Sequence, residues 1–555
     1  MAADTILVNG RVLTLDPRNP SAAALAIVGE RIAALGTGAE MKRWRDRRTR
    51  VIDVRGATVI PGLVDAHAHL DREGLKLLYP SLAQCRSIGD IKHVIRRLAA
   101  GRPRGEWIVT MPVGTPPFYQ NAPKGLAEQR WPTRADLDDA APEHPVYIRG
   151  IWGYWNKPPV YSIANSAALR IAAVTRDTRP PAGIEMLTDG TGEPTGVLVE
   201  SNAIQVLEFT LMKAVPRFGH ADRLKALAVS QRLYAARGVT GVYEGHGVAP
   251  ELLAVYREAH ARGALHLRCW LALSPTWEGA EAARAIPDIA SWAGGRGLGD
   301  ERLRLGGICL HYGGDAGVAR ILHESQPYTG WAGFVESANS PESYREQAEL
   351  AAAHGLRVNT LVTRCLPEVL EIWEAIAARR ALRPLRWVLV HLQVATSADI
   401  ARIRRLGVGA TTNPISYLWR SGTAEVERAG GAEVLIPHKS LVRAHISVGL
   451  ATDNKPPDPW LAFGAACDRR DMTSGRILGA GERLGRLEGL RALTTAGAWL
   501  AFAERDRGML TPGRLADLAV IDRDPLTAPL DSLHELSCSL TVVGGQVIHS
   551  ANGVS

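Results

Sequence analysis

The sequence predicts an α/β fold, a (β/α)8 TIM-like barrel with a small β-sandwich domain formed from both chain ends and an insertion capping the barrel. Three observations carry this. Both ends of the chain read as short strands joined by turns, the middle alternates apolar runs with helical patterns, and a long Trp- and Pro-rich stretch interrupts that alternation near its start.

The N-terminal sixty residues alternate apolar and polar positions, with Asn9-Gly10 and Gly29 as turns, so strands are expected over 5–8, 11–14, 23–28, 31–35 and 51–60. The C-terminus repeats the pattern over 518–521, 540–543 and 546–549, with Gly544-Gly545 as a turn. Strand sets this short cannot each bury a sheet face alone. Residues 1–60 and 508–555 are therefore expected to form one composite β-sandwich domain.

Apolar runs rich in Val, Ile and Leu occupy 59–64, 107–113, 146–148, 239–243, 265–273, 303–310, 356–362, 387–392, 408–411 and 446–451. Helical patterns fall at 221–237, 341–354, 367–379, 397–405 and 487–495. Buried parallel strands followed by helices have this signature. It assigns 61–507 to the barrel, with the insertion at roughly 71–210, where Trp107, Trp131, Trp152 and Trp155 lie. Barrel chemistry belongs at the C-terminal ends of the strands.

Composition narrows the function classes. The 555 residues are 46% hydrophobic and 22% charged, which excludes disorder. The net charge of +8 owes much to the run Lys42, Arg43, Arg45, Arg47, Arg48 and Arg50, read as a solvated face, so no nucleic-acid partner is expected. No stretch approaches the roughly 18 apolar residues of a membrane span. Six scattered cysteines suggest neither a disulfide framework nor a zinc knuckle, and the N-terminus lacks a signal-peptide pattern, so a cytoplasmic protein is expected.

At the end of the first barrel strand stands Pro61-Gly62-Leu63-Val64-Asp65-Ala66-His67-Ala68-His69-Leu70. Residues two apart on a strand share a face, so His67 and His69 can direct both imidazoles at one ion. With 16 His in the chain, chance supplies about half such a pair, and the strand context gives this one its weight. His391 ends 387–391 and Asp453 ends 447–453, again at apolar strand ends. Each alone also suits a structural role, His391 as a core histidine and Asp453 as a cap or turn residue.

Together these residues resemble the amidohydrolase superfamily, in particular its YtcJ-like subgroup (amidohydrolase family 3). Further resembling stretches are 238–242, 303–308, 390–393, 451–453 and the closing segments 508–520 and 543–545. The resemblance implies a metal site of His67, His69, His391 and Asp453, with Asp453 and His391 catalytic and Asp453 the general acid/base. Two departures bear on that site. Cys309 stands where the family commonly has a metal-bridging lysine, and it is either a thiolate ligand or an inert buried thiol. Leu361 stands where the fifth strand usually carries a histidine, so one divalent ion, Zn2+, is expected rather than two. His246 and His311 are candidate replacements.

The implied reaction is hydrolysis of an amide, cyclic amide or other C–N bond of a small, partly apolar or aromatic substrate by metal-activated water. A decarboxylase, hydratase or deaminase on the same scaffold, and a non-catalytic binding protein with a degenerate site, are the alternatives. A homodimer follows only by analogy. Trp152, Trp155, Trp419 and Trp460 could line a pocket and Arg420 or Lys455 could hold a carboxylate, but no spacing rule assigns a substrate contact.

Overall fold

The computed structural model describes residues 2–115, 119, 121–150, 158–202, 204–277 and 279–551. The chain divides into two compact units. One comprises Met1–Leu70, Ala228–Gly314 and Glu336–Ser555, and the other Asp71–Leu227 and Asp315–Val335.

Eight parallel strands form the barrel of the first unit: β1 (Leu63–Asp65), β2 (Val239–Val248), β3 (Arg268–Leu273), β4 (Leu303–Cys309), β5 (Val358–Leu361), β6 (Val388–Val390), β7 (Gly409–Thr412) and β8 (Val448–Leu450). Each pairs with its neighbour in chain order. The seam between β8 and β1 is bridged by Ala66 N–H donating to Leu450 O at 3.1 Å and Asp453 N–H to His67 O at 3.0 Å. That second bond ties the ends of the first and last strands together.

Burial of all or nearly all positions in these strands explains their continuous Val/Ile/Leu composition, since helices cover the outside and side chains fill the inside. Outside, Ile308, Val358, Leu389, Ala410 and Val448 share a core with Leu370, Trp373 and Ile403 of the flanking helices. Inside, Tyr243, Trp270, Val388 and Val390 pack with Leu500 and Ala501. The helix Ser397–Leu406 shows how local sequence sets such an element. Thr396 and Asp399 make a reciprocal capping box at its start, worth about 1 kcal/mol, and Gly407 ends it in the left-handed conformation at φ +70°.

The run 59–64 serves two sheets. Thr58–Pro61 lies antiparallel to Leu518–Ile521, with Val59 opposite Val520, whereas Leu63–Asp65 enters the barrel. Gly62 sits at the crossing, where a Cβ would meet the Thr240 side chain at 2.2 Å. Strands from the two chain ends thus share a six-stranded sheet. Its Val12, Val59, Leu518, Val520 and Leu540 share a core with Leu7, Leu25, Ile27 and Ile52 of a four-stranded sheet from the N-terminal segment alone.

The second unit has its own five-stranded sheet, ordered Ile184–Thr188, Pro194–Glu200, Val160–Ala164, Val146–Ile148, Ile108–Thr110. Two runs that share the buried-strand pattern, 107–113 and 146–148, therefore pair with each other here, Val146 opposite Ile108, and not in the barrel. An apolar run reports that both faces of a strand are covered, not which sheet receives it. On one face Ile88, Ile91, Ile95 and Leu137 from two helices pack with Ile108, Val146 and Ile148.

Candidate metal centre

Short apolar strands end abruptly at the C-terminal rim of the barrel, and the residues just past them turn inward. His67 and His69 follow β1, their rings 4.9 Å apart and edge to face. His391 follows β6 at φ +56°, and Asp453 and Asn454 follow β8 at +51° and +59°. A left-handed conformation costs a non-glycine residue about 1–2 kcal/mol, so the surrounding bonds must hold these turns in place.

Those bonds are present. The Asp65 carboxylate accepts the N–H groups of His67 and Thr452 at 3.2 and 3.0 Å and the Thr452 hydroxyl at 2.5 Å. Asn454 accepts the His69 N–H at 2.9 Å and donates to the His69 carbonyl at 3.1 Å. Two acid or amide side chains thereby clamp the ends of β1 and β8. Burial lifts the Asp65 carboxyl to about 7, against the opposing pull of these hydrogen bonds.

Of the four sequence-predicted ligands, His67, His391 and Asp453 form one donor group, and His69 joins His67 and His246 in another. Asp453 Oδ1 lies 3.1 Å from His69 Nε2 and 3.9 Å from His67 Nε2, and Oδ2 lies 3.4 Å from His391 Nε2. Ligand atoms of a tetrahedral zinc at its usual bond lengths are about 3.3 Å apart, so this donor set fits a divalent ion. Buried nitrogen and carboxylate donors facing one another at these separations also suit a cation better than a packed core. Burial alone would raise the Asp453 carboxyl. The Lys455 ammonium 2.5 Å from Oδ2, with His391 and His67, holds it well below the usual carboxylate range. Asn413 Nδ2 donates to the same oxygen at 3.2 Å.

Donor atoms within 4.8 Å of one another form three groups among the described residues: His67, His391 and Asp453; His67, His69 and His246; and His246, His311 and Glu336. His246 links the last two. Cys309 belongs to none of them. Its thiol is buried, burial pushes its pKa well up, and it lies 3.9 Å from His311 Nε2. Leu361 ends β5, half-buried, and adds no donor.

Sequence reasoning missed Glu244. Its Oε2 lies 2.6 Å from His69 Nδ1, and its Oε1 accepts the His246 N–H at 3.0 Å. A carboxylate there keeps the proton on Nδ1 and turns the Nε2 lone pair toward the ion. Its position two before His246 on one strand was the available signal. Glu336 had none, because it is isolated in sequence from every other donor. Of the candidate pocket residues, Trp460 is fully buried and donates to Arg237 O at 3.2 Å, which makes it a core residue. Trp419 packs on Ile415 and Leu461, and Lys455 is engaged by Asp453. Arg420 ends a helical turn beside Trp419, its guanidinium lowered to about 10 by burial. Trp152 and Trp155 lie outside the described residues.

The chain is similar to known proteins over most of its length. The amidohydrolase family model matches residues 50–549. The N-substituted formamide deformylase of Arthrobacter pascens is 26% identical over 99% of both chains. The Bacillus subtilis protein YtcJ is 24% identical, over 93% of this chain and 94% of its own. A metal-dependent hydrolase from Pyrococcus furiosus, whose function is uncharacterised, shares the fold at a TM-score of 0.68 and 23% identity, over 94% of this chain and all of the other. With an eight-stranded barrel, a His/Asp donor set at its C-terminal rim and a family match across nine-tenths of its length, the chain belongs to the amidohydrolase family, hydrolases of C–N bonds.

Proposed function

We propose that this chain hydrolyses an amide, cyclic amide or related C–N bond of a small, partly apolar or aromatic molecule, with one Zn2+ held by His67, His69, His391 and Asp453. The observation that carries the reading is the convergence of both Asp453 carboxylate oxygens on three imidazoles within 3.1–3.9 Å. Cys309, outside the donor groups, is left out of the ligand set.

When bound, the ion supplies Lewis acidity at the scissile carbonyl and makes water more acidic. The chain's own residues do the rest. Lys455 keeps Asp453 ionised, so its carboxylate is ready to accept the proton of the attacking water and return it to the departing nitrogen. His391 Nε2, 3.4 Å from Asp453 Oδ2, is aimed with that carboxylate at the ion's position. Glu244 fixes the His69 tautomer.

The remaining sequence-based expectations stand with this reading: a composite sandwich of 1–60 and 508–555, a barrel of 61–507, a homodimer, and a cytoplasmic protein whose six cysteines are unpaired. No helix among the described residues is long and apolar enough to cross a membrane. Because the Arthrobacter relative is a deformylase of N-substituted formamides, such formamides are the first substrates to test. Zinc-loaded protein should release formate from formanilide, and Asp453→Asn should abolish this. Wild-type protein that purifies without divalent metal and ignores chelators would overturn the proposal.

A further inference from the structure

The third donor group, His246, His311 and Glu336, suggests a second cation site at first sight. The hydrogen bonds around His311 argue otherwise. Ser337 directs its backbone N–H at His311 Nδ1 from 3.3 Å, and the position of that hydrogen is fixed by the backbone. Nδ1 must therefore present a lone pair. A neutral imidazole with its lone pair at Nδ1 carries its proton at Nε2. Histidines that bind metals show the reverse arrangement, donating their distal N–H outward while the other nitrogen faces the ion. For His311 Nε2 to ligate a cation while Ser337 keeps its bond, the ring would have to lose its last proton.

An Nδ1 that accepts the Ser337 N–H carries no proton of its own, so the buried ring is neutral. Its placement is built rather than incidental. Asn339 Nδ2 donates to the His311 carbonyl at 2.9 Å, Gly313 and Asn339 exchange backbone hydrogen bonds at 2.9 Å each, and Gln347 Nε2 donates to Asn339 Oδ1 at 2.7 Å. This network holds the 311–313 turn against the 337–339 segment, which sets the Ser337 N–H against the ring.

The His311 Nε2–H lies 3.3 Å from His246 Nε2, its neighbour toward the His67 and His69 donors. His246 lies outside the ligand set of the ion proposed above, so this N–H can exchange its long contact with His246 for a substrate oxygen at the edge of the metal centre. We infer that His311 is a catalytic hydrogen-bond donor that binds the oxygen of the substrate's scissile carbonyl through Nε2–H, and is not a metal ligand. This rests on the hydrolytic reading above. A fixed neutral donor stabilises negative charge developing on that oxygen, and removing one such donor lowers kcat by about 10²–10³. It also gives no welcome to a cationic group, which biases the site toward carbonyl substrates.

Histidine-¹⁵N-labelled full-length protein tests the assignment without substrate. Long-range ¹H–¹⁵N correlation spectra should show one ring, identified by its disappearance in His311→Gln, protonated at Nε2 and bare at Nδ1. That pattern should persist from pH 6 to 9 and after one equivalent of Zn2+. In turnover of formanilide, His311→Ala should lose about 10²–10³ in kcat, whereas His311→Gln, whose amide N–H reaches a similar point, should stay within about tenfold of wild type. Zinc content should be unchanged in both. An Nδ1–H tautomer, loss of the Nε2 proton on adding zinc, loss of zinc in His311→Gln, or equal damage by Ala and Gln in folded proteins would overturn the inference. Wild-type protein that holds no divalent metal and ignores chelators would instead sink the underlying hydrolytic reading.

Discussion

Glu244 Oε2 lies 2.6 Å from His69 Nδ1, the carboxylate coming from within β2 and the imidazole from just past the end of the adjacent β1. The contact joins a charged carboxylate to the ring nitrogen that does not face Asp453. It therefore governs how firmly His69 is aimed rather than whether it is present.

Replacing Glu244 by Gln keeps the shape but removes the charge. Zinc affinity should fall by about 10–100-fold, the usual effect of losing such an orienting partner. Competition with a chromogenic chelator measures it, and an unchanged affinity would show that His69 is held by packing alone.

Metal binding should also register in stability. An ion present at about a hundred times its dissociation constant stabilises the folded state by about 2.7 kcal/mol. Chelated protein should therefore melt at a lower temperature than zinc-replete protein, and His67→Ala should erase the difference. Calorimetric scans with and without chelator provide the check.

Arg268 on β3 donates from Nε and Nη2 to both carboxylate oxygens of Asp517 at 2.7 and 2.9 Å, with both side chains buried. This pair fastens the barrel to the segment that begins the strand Leu518–Ile521. Asp517→Asn should cost about 3–5 kcal/mol, because it leaves a buried guanidinium uncompensated. Burial opposes ionisation of Asp517, but Arg268 prevails and holds its carboxyl below the usual value. The pair's contribution is thus fully present above the unfolded-state value of about 3.9, and it is lost as pH falls through the lower folded-state value. Urea unfolding at pH 7, 4 and about 2.5 should show the gap between wild type and Asp517→Asn nearly intact at pH 4 and narrowing only below it.

Gly62→Ala should destabilise the protein by about 1–3 kcal/mol, because the added methyl meets the buried Thr240 side chain. Thr240→Ala removes the two nearest atoms but not Thr240 Cβ at 2.7 Å, so it should rescue only part of the loss. A double-mutant cycle on urea midpoints reads the coupling, and simple additivity would show that the crossing relaxes freely.

The period of a strand put His67 and His69 on one face, apolar runs marked His391 and Asp453 as the residues that end them, and the family resemblance joined the four into one expected metal site. The same local rule separated the strand-rich ends from the alternating middle. It was silent on Glu336, and it could not tell that Lys455 is spent on Asp453 or that 107–113 and 146–148 join a sheet of their own.

What the sequence by itself determined was the inventory of donors, their facing along each strand and the type of each element, because these depend on neighbours a few residues away. Which donors meet was decided only by the tertiary structure. Closing the barrel through Asp453 N–H and His67 O brings the first and last strands to one point, and the Ser337 N–H selects the proton position on His311 from a segment far along the chain. Such choices depend on the stagger of strands and on hydrogen bonds between distant segments, and no spacing between adjacent residues encodes either.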